Sequence, residues 1–213
     1  MRVGRIPWIN CYPVYGAIDR GLVPLPGELV SGTASELNDL LAAGELQVSV
    51  VSAVEYARNA AAYHLLPDLA ITCDGPVHSV ALFARRPPAE LDGRTVLLTA
   101  SSRTSVLLLE LLCRHRWHIR PQVATVRAEA ADLASLAGFP HDAVLVIGDA
   151  ALLLADRGTY PCFTDLGLAL YEARTGLKRL WIQEGAGHNN LRYDPRDPMW
   201  REVLRFLVPS AAP

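Results

Sequence analysis

The five residues SSRTS, Ser101–Ser105, give the strongest indication of chemistry in the sequence. They follow a predicted strand, Arg94–Thr99, and open a segment with the apolar spacing of a helix. Up to four hydroxyls therefore meet the free N–H groups and the positive end of a helix dipole, which suits a carboxylate or a phosphate. A helix cap needs only one hydroxyl, so the stretch favours an anion-binding turn. The candidates are Ser101, Ser102, Arg103, Thr104 and Ser105, and the sequence does not show which way the arginine points.

The stretch WINCYP, at 8–13, is a second candidate. It joins a predicted strand, Arg2–Ile9, to a predicted helix, Pro13–Gly21, that begins at proline and ends at glycine. Such junctions lie beyond the carboxyl ends of strands, where open parallel sheets bind their ligands. Asn10 is therefore a candidate for contact with substrate. Cys11 has no neighbouring base or charge in the sequence, so we expect a small packing residue.

Three other junctions place polar residues beside a strand. Ser52 ends a predicted strand and precedes a helix, and it suits a helix cap and a cleft hydroxyl equally well. Gly148 and Asp149 follow the apolar strand AVLVI, where a cleft role is compatible with an Asp cap. Ser79, in DGPVHS, opens a strand after a Gly-Pro turn. That stretch alone is an ordinary turn, but its position would let the Ser79 hydroxyl face the same cleft as Asn10.

Composition and charge exclude several classes of function. The chain of 213 residues has 20 Lys and Arg against 22 Asp and Glu, and its positive charges do not cluster, which argues against nucleic acid as a partner. No secretory signal opens the sequence, and the apolar stretch 143–155 is too short to span a bilayer, so we expect no membrane partner. Four separated cysteines without a CxxC pair fit reduced thiols in a cytoplasm.

The sequence predicts neither a metal nor a cofactor. His115 and His118 lie three apart on a predicted helix, but no third ligand accompanies them. The GxGxxG, Walker and GxSxG patterns are absent from the sequence. The expected partner is therefore a small anionic molecule.

Strands and helices alternate along the chain, which predicts an α/β fold with two domains. The segment RRPPAELDG, Arg85–Gly93, contains two prolines and a turn and marks the predicted crossing between them. The first domain is expected at 1–86 and the second at 87–177. Residues 178–213 form an atypical tail that we expect to return to the first domain.

Local patterns predict the elements inside these domains. Thr33 and Glu36 have the spacing of a capping box, and Gly44 would end the helix that it begins. Further strands of the first domain are predicted at 48–51, 69–73 and 80–84. In the second domain we expect a strand at 123–126, a helix at 128–136 and a buried strand from Ala143.

Six stretches together resemble a known family. They are WINCYP, TASELNDLLAAGELQVSVVSAVEYAR, CDGPVHSVALFARRP, ELDGRTVLLTASSRTSV, VLVIGDAAL and DLGLALYEARTGL. Their order is similar to that of the chorismate dehydratases, which begin menaquinone biosynthesis by the futalosine route. The resemblance covers about residues 2–177 and implies a two-domain fold like that of type II periplasmic solute-binding proteins, with substrate held in the cleft.

The resemblance also implies a reaction and roles for residues. Chorismate would lose water to give 3-enolpyruvoylbenzoate, and in the family the enolpyruvyl carboxylate of the substrate is thought to act as the base. The protein then needs only to position and polarise the substrate. Asn10 corresponds to the family's cleft asparagine and Ser79 to its cleft serine. The turn with Ser102, Thr104 and Ser105 would hold a substrate carboxylate at the helix N-terminus.

Two other functions stay open at the level of sequence. One is a non-enzymatic cytoplasmic binder or sensor of a small carboxylate. The other is the sister enzyme of the same pathway, which forms dihydroxynaphthoate and shares the fold, although WINCYP with DGPVHS favours the dehydratase. A homodimer is compatible with the sequence.

Overall fold

The chain folds into two α/β units, each built on its own sheet. The computed structural model describes residues 1–8, 11–66, 70–71, 75–129 and 132–173. The first unit contains β1 (Arg2–Arg5), α1 (Tyr12–Asp19), β2 (Glu28–Ser31), α2 (Ala34–Ala42) and α3 (Ala53–Asn59). The second contains β3 (Val80–Ala84), β4 (Thr95–Thr99), α4 (Arg103–Leu112), β5 (Gln122–Val126), β6 (Ala143–Ile147), α5 (Asp149–Arg157), β7 (Cys162–Asp165) and α6 (Leu166–Ala173).

The first unit is organised around β1. This strand pairs in parallel with β2, with Val3 opposite Leu29, and on its other side Val3 forms an isolated bridge with Val48. The strand predicted at 48–51 is reduced to that bridge within the described residues. Below the sheet the apolar side chains of β1, α1 and α2 meet in one buried cluster, in which Leu37 is fully enclosed. Of the strand predicted at 69–73, only residues 70–71 lie within the described part of the chain.

Helix α2 begins at the predicted capping box. The Thr33 hydroxyl accepts a hydrogen bond from the Glu36 N–H at 3.3 Å, and the Glu36 carboxylate accepts from the Thr33 N–H at 2.8 Å. These reciprocal bonds satisfy two N–H groups that the helix itself leaves without acceptors. The prediction from residue spacing is confirmed.

The second unit is a five-stranded sheet in the order β5-β4-β6-β3-β7. Strands β5, β4 and β6 run parallel, whereas β3 is antiparallel to both of its neighbours, β6 and β7. Apolar side chains cover both faces of the sheet: Leu82 packs with α4 and α6 on one side, and Phe83 packs with α5 on the other. A strand enclosed on both faces is expected to be apolar throughout, as Val80–Ala84 is.

Our assignment of 80–84 to the first domain is therefore wrong. Four of the five residues of β3 are buried, which requires a neighbour on each side and a layer on each face. Only the second sheet supplies them within the described part of the chain. The chain enters this sheet before Arg85–Gly93, and that segment joins two strands of one sheet, β3 and β4.

The helix predicted at 128–136 is also wrong. The described residues of this span contain a 3₁₀ turn at Ser135–Gly138 and no α-helix. Asp132 accepts a hydrogen bond from the Glu129 N–H, and the Ser135 hydroxyl donates to the Asp132 carbonyl. Such local side-chain bonds compete with the helical ladder.

Among the described helices, none has the length and apolar character needed to cross a membrane. The tail at 178–213 lies outside the described residues, and its return to the first domain stays a prediction.

Candidate functional site

Three of the predicted site segments meet at one edge of the second sheet. Strands β4 and β6 are parallel neighbours, so their carboxyl ends lie at the same edge of the sheet. The turn Ser101–Ser105 follows β4 there, and Gly148 with Asp149 follows β6. Strand β3 runs the opposite way, and its first end therefore lies at this edge too. The Gly148 N–H donates to the Ser79 carbonyl at 2.7 Å, which joins the two directly.

The hydroxyl-rich turn is only partly open to a ligand. Ser102 is the N-cap of α4: its hydroxyl accepts from the Ser105 N–H at 3.1 Å and lies 2.9 Å from the Ser105 hydroxyl. The buried Ser101 hydroxyl donates to the Glu129 carboxylate. Thr104 differs, because its Oγ1 is buried and has no hydrogen-bond partner in the described part of the chain. Of the four hydroxyls in this turn, that of Thr104 is the one that finds no hydrogen-bond partner among the described residues.

Arg103 points toward the first unit. Its Nη2 lies 2.5 Å from Asp39 Oδ1 on α2, and its Nη1 lies 3.5 Å from Glu55 Oε2 on α3. The hydrogen bond with Asp39 and the charges of both carboxylates raise the pKa of Arg103, so its positive charge is secure. Sequence reasoning missed both carboxylates. The sequence indicated them only through their position, with Asp39 on the helix before the candidate Ser52 and Glu55 on the helix after it.

Ser52 acts as a helix cap. Its hydroxyl accepts from the Glu55 N–H at 3.2 Å and from Asn38 Nδ2 at 3.1 Å, and Asn38 is fully buried. Of the two roles that the sequence left even, the cap is the one that the structure contains. A cleft role for Ser52 stays a prediction.

Gly148 lies opposite the WINCYP stretch. Its backbone has φ +64° and ψ −147°, and a side-chain Cβ built there would lie 3.7 Å from the Trp8 ring. Gly148 is the N-cap of α5 and Asp149 is its first residue, so Asp149 is not the cap that the sequence allowed. The Asp149 carboxylate instead lies in the first turn of α5, where its negative charge interacts favourably with the positive end of the helix dipole. The indole of Trp8 and the backbone at Gly148 thus bring the two units together.

The rest of WINCYP is described in part. Cys11 is 1% exposed, and burial raises the pKa of its thiol, which confirms the packing role predicted for it. Its N–H donates to the Trp8 carbonyl at 3.0 Å. Asn10 lies outside the described residues, and its contact with substrate stays a prediction.

Asp165 holds the turn that presents Ser79, and no local pattern in the sequence indicates this role. One carboxylate oxygen accepts from the His78 N–H at 2.6 Å, and the other accepts from the Leu168 N–H at 2.9 Å. His78 itself has φ +57°, an uncommon conformation outside glycine. This carboxylate therefore fixes the backbone on which Ser79 stands. Asp165 comes 87 residues later in the chain than His78, which explains why local patterns could not reveal it.

The described residues contain no group of three His, Cys, Asp or Glu side chains that could hold a metal ion. Besides carboxylates that already have partners, such as Glu55 and Glu129, the polar groups at the site are hydroxyls, backbone N–H groups and helix N-termini. Such groups bind and orient anions.

Comparisons with known proteins identify the fold. The structure resembles the crystal structure of protein AF1704 from Archaeoglobus fulgidus, with a TM-score of 0.62 and 22% identity over 80% of this chain and 62% of that one. It also resembles the alkanesulfonate-binding protein SsuA from Xanthomonas axonopodis pv. citri bound to MOPS, with a TM-score of 0.50 and 19% identity over 70% of this chain and 54% of that one. The chain therefore has the two-unit α/β fold of type II solute-binding proteins, as the sequence predicted.

The family follows from the sequence comparison. The model of the menaquinone biosynthesis family matches residues 1–180, and the chain belongs to that family. A chorismate dehydratase from Thermus thermophilus is 36% identical over 118 residues, which make up 55% of this chain and 41% of that protein. The chain covers 41% of the length of this dehydratase, 62% of AF1704 and 54% of SsuA, which is less than two thirds in each case.

Proposed function

We propose that the chain is a chorismate dehydratase, a carbon–oxygen lyase that converts chorismate to 3-enolpyruvoylbenzoate and water. The observation that carries the proposal is the meeting of Ser79, Gly148 and the turn Ser101–Ser105 (the α4 turn) at one sheet edge, with Trp8 beside Gly148. Membership of the menaquinone biosynthesis family and the similarity to a chorismate dehydratase support the choice of substrate.

The α4 turn is the proposed site for a substrate carboxylate. The first N–H groups of a helix have no acceptors within it and carry partial positive charge. Thr104 Oγ1 adds a buried hydroxyl without a partner among the described residues, and such a group is costly unless something bonds to it. A carboxylate at this turn would accept from both kinds of donor.

The reaction needs the removal of one ring proton and the departure of one hydroxyl group. In our proposal the enolpyruvyl carboxylate of chorismate takes the ring proton, and the C–H electron pair enters the ring as the C–O bond to the hydroxyl breaks. The carboxylate gives the proton to the departing hydroxyl, which leaves as water. Asn10 and Ser79 orient the ring and stabilise charge at the leaving hydroxyl or at a carboxylate. The protein thus lowers the barrier by orientation and by fixed dipoles, and the new aromatic ring supplies much of the driving force.

The proposal extends to the surroundings of the reaction. It requires no cofactor, because the elimination is neither a redox step nor a group transfer. We place the protein in the cytoplasm, in agreement with its separated cysteines, three of which are free thiols in the described residues. Nucleic acid is not a proposed partner.

The test is incubation of the purified chain with chorismate, followed by chromatography with mass detection against a control without protein. We expect 3-enolpyruvoylbenzoate, lighter than chorismate by one water, to accumulate above the control. Chorismate that is bound but returned unchanged would instead indicate the carboxylate binder. A chain that ignores chorismate and forms dihydroxynaphthoate from the later intermediate would indicate the sister enzyme.

A further inference from the structure

We propose that Arg103 is a positioning residue that ties the two units together across the cleft, with Glu55 as its fixed counterpart and Asp39 as a weaker second one. In this role Arg103 does not contact the substrate. The inference rests on the proposed function only for its effect on chorismate. The link between the units stands on the contacts alone.

The contacts connect three helices from two units. Arg103 is the first residue of α4, directly after the hydroxyl-rich turn, and its guanidinium meets Asp39 of α2 at 2.5 Å and Glu55 of α3 at 3.5 Å. Helices α3 and α4 also pack against each other. The side chain therefore joins the turn that is proposed to bind a carboxylate to the far wall of the cleft.

The Glu55 carboxylate is held in place as a partner for the Arg103 guanidinium. Its side chain is 6% exposed, and its Oε1 accepts from Asn59 Nδ2 and from the Tyr63 hydroxyl, each at 2.8 Å. Those two bonds fix the carboxylate and leave Oε2 toward Arg103. A buried carboxylate is costly unless it is both hydrogen-bonded and paired with a cation, and Arg103 supplies the pairing.

Asp39 is a different kind of partner. Its side chain is 64% exposed, so water screens its attraction for Arg103. We therefore assign most of the positioning effect to Glu55. We therefore expect loss of the Glu55 charge to have a larger effect than loss of the Asp39 charge.

The pair favours a closed cleft. Separation of the units would break the ion pairs of Arg103 with Glu55 and Asp39, which disfavours the open form. The apparent affinity for a ligand of the closed form scales with the fraction of molecules that are closed. Loss of either partner should consequently weaken chorismate binding without removing a group that touches chorismate.

The sign of the effect separates this role from direct binding. If Arg103 bound a substrate carboxylate, Asp39 and Glu55 would compete with the substrate, and neutralising them would tighten binding. Simple attraction between charges gives the same expectation, because each change removes a negative charge near an anion site. A positioning role predicts weaker binding after the same changes.

The experiment measures the dissociation constant of chorismate by calorimetry for the native chain, Glu55→Gln, Asp39→Asn and Asp156→Asn. Asp156, which is exposed on α5, controls for net charge. We expect Glu55→Gln to raise the dissociation constant about tenfold, within the usual range of coupling between sites, Asp39→Asn to raise it less, and the control to leave it unchanged. In a chain that turns over, KM should rise while kcat stays near the native value. Native or tighter binding by Glu55→Gln would overturn the proposal.

A second measurement does not depend on chorismate. Urea unfolding of Arg103→Gln, Glu55→Gln and the double variant forms a double-mutant cycle. We expect the losses of stability to be clearly less than additive, because Glu55→Gln removes the charge that Arg103 compensates. Additive losses would overturn the link between the units. If the native chain neither binds nor converts chorismate, the proposed function fails, and this cycle alone decides the inference.

Discussion

Gly148 shows how a single residue shapes the site. Its φ of +64° with ψ of −147° belongs to a region that is essentially restricted to glycine, and its N–H bonds to the Ser79 carbonyl. An added methyl would lie 3.7 Å from the Trp8 ring, which is ordinary contact, so any penalty comes from the backbone. The sequence marked Gly148 as a strand-to-helix junction, but it did not show the aromatic ring that faces it.

We expect Gly148→Ala to lower the free energy of unfolding by about 1–3 kcal/mol, the usual cost of such a conformation. Urea unfolding measures the change. Gly158→Asn is the matched control, because Gly158 has φ +59° and ψ +26° with open space around it, a conformation that asparagine tolerates. Equal stability of Gly148→Ala and the native chain would contradict the strain assigned here.

Cys113 gives a prediction about reactivity. Burial, and next the charge of Glu110, raises the pKa of its thiol from 9.0 to about 11. At pH 8 its thiolate fraction should be roughly a hundredfold below that of a thiol with the unshifted pKa. Iodoacetamide labelling with peptide mass mapping should therefore find Cys113 protected and the half-buried Cys162 modified before it. Rapid labelling of Cys113 in the folded chain would contradict this environment.

The same shift predicts a dependence of stability on pH. The folded state holds the Cys113 proton more tightly than the unfolded state, whose pKa is near 9.0. The contribution to the free energy of unfolding is complete below that pH and is lost as pH rises toward about 11. Urea unfolding at several alkaline pH values should show this decline in the native chain and a smaller one in Cys113→Ala. Equal declines would exclude Cys113 as the cause.

Elements with local signals were predictable from the sequence. The capping box before α2 and the apolar run of β6 each depend on residues close together in the chain, and the structure contains both. The turn around Glu129 failed as a helix because side-chain bonds of Asp132 and Ser135 outweigh the apolar spacing. Strand β3 was recognised as a strand, but its sheet depends on partners that come much later in the chain, which spacing does not reveal.

Helix α2 provides the prediction at this scale. Thr33→Ala removes the cap and should lower the free energy of unfolding by about 1 kcal/mol. Ser35→Ala, two residues later, is the control, because the Ser35 hydroxyl is buried and has no partner among the described residues, so its loss should cost little or be stabilising. Urea unfolding of both variants measures the difference. A larger loss for Ser35→Ala than for Thr33→Ala would contradict the capping box.

The molecule as a whole depends on contacts between residues that are distant in sequence, both between the two units and within the second unit. Arg103 with Glu55, Trp8 with Gly148, and Asp165 with the turn before Ser79 each join residues from separate predicted elements. Sequence motifs identified the segments of both Trp8 and Gly148, but only one member of each of the other two pairs, because turns and caps have local signatures. The partners Glu55 and Asp165 stayed hidden, since an acidic residue has no signature of the element that it will face.

The central claim is that the edge where Ser79, Gly148 and the α4 turn meet is the place where chorismate is dehydrated. The most direct measurement is the rate of 3-enolpyruvoylbenzoate formation by the native chain and by Ser79→Ala, with exposed Ser135→Ala as the control. We predict that Ser79→Ala lowers kcat by about 10²-fold, the scale of losing one oriented donor, and that Ser135→Ala keeps the native rate. A native rate in a folded Ser79→Ala chain would contradict the account.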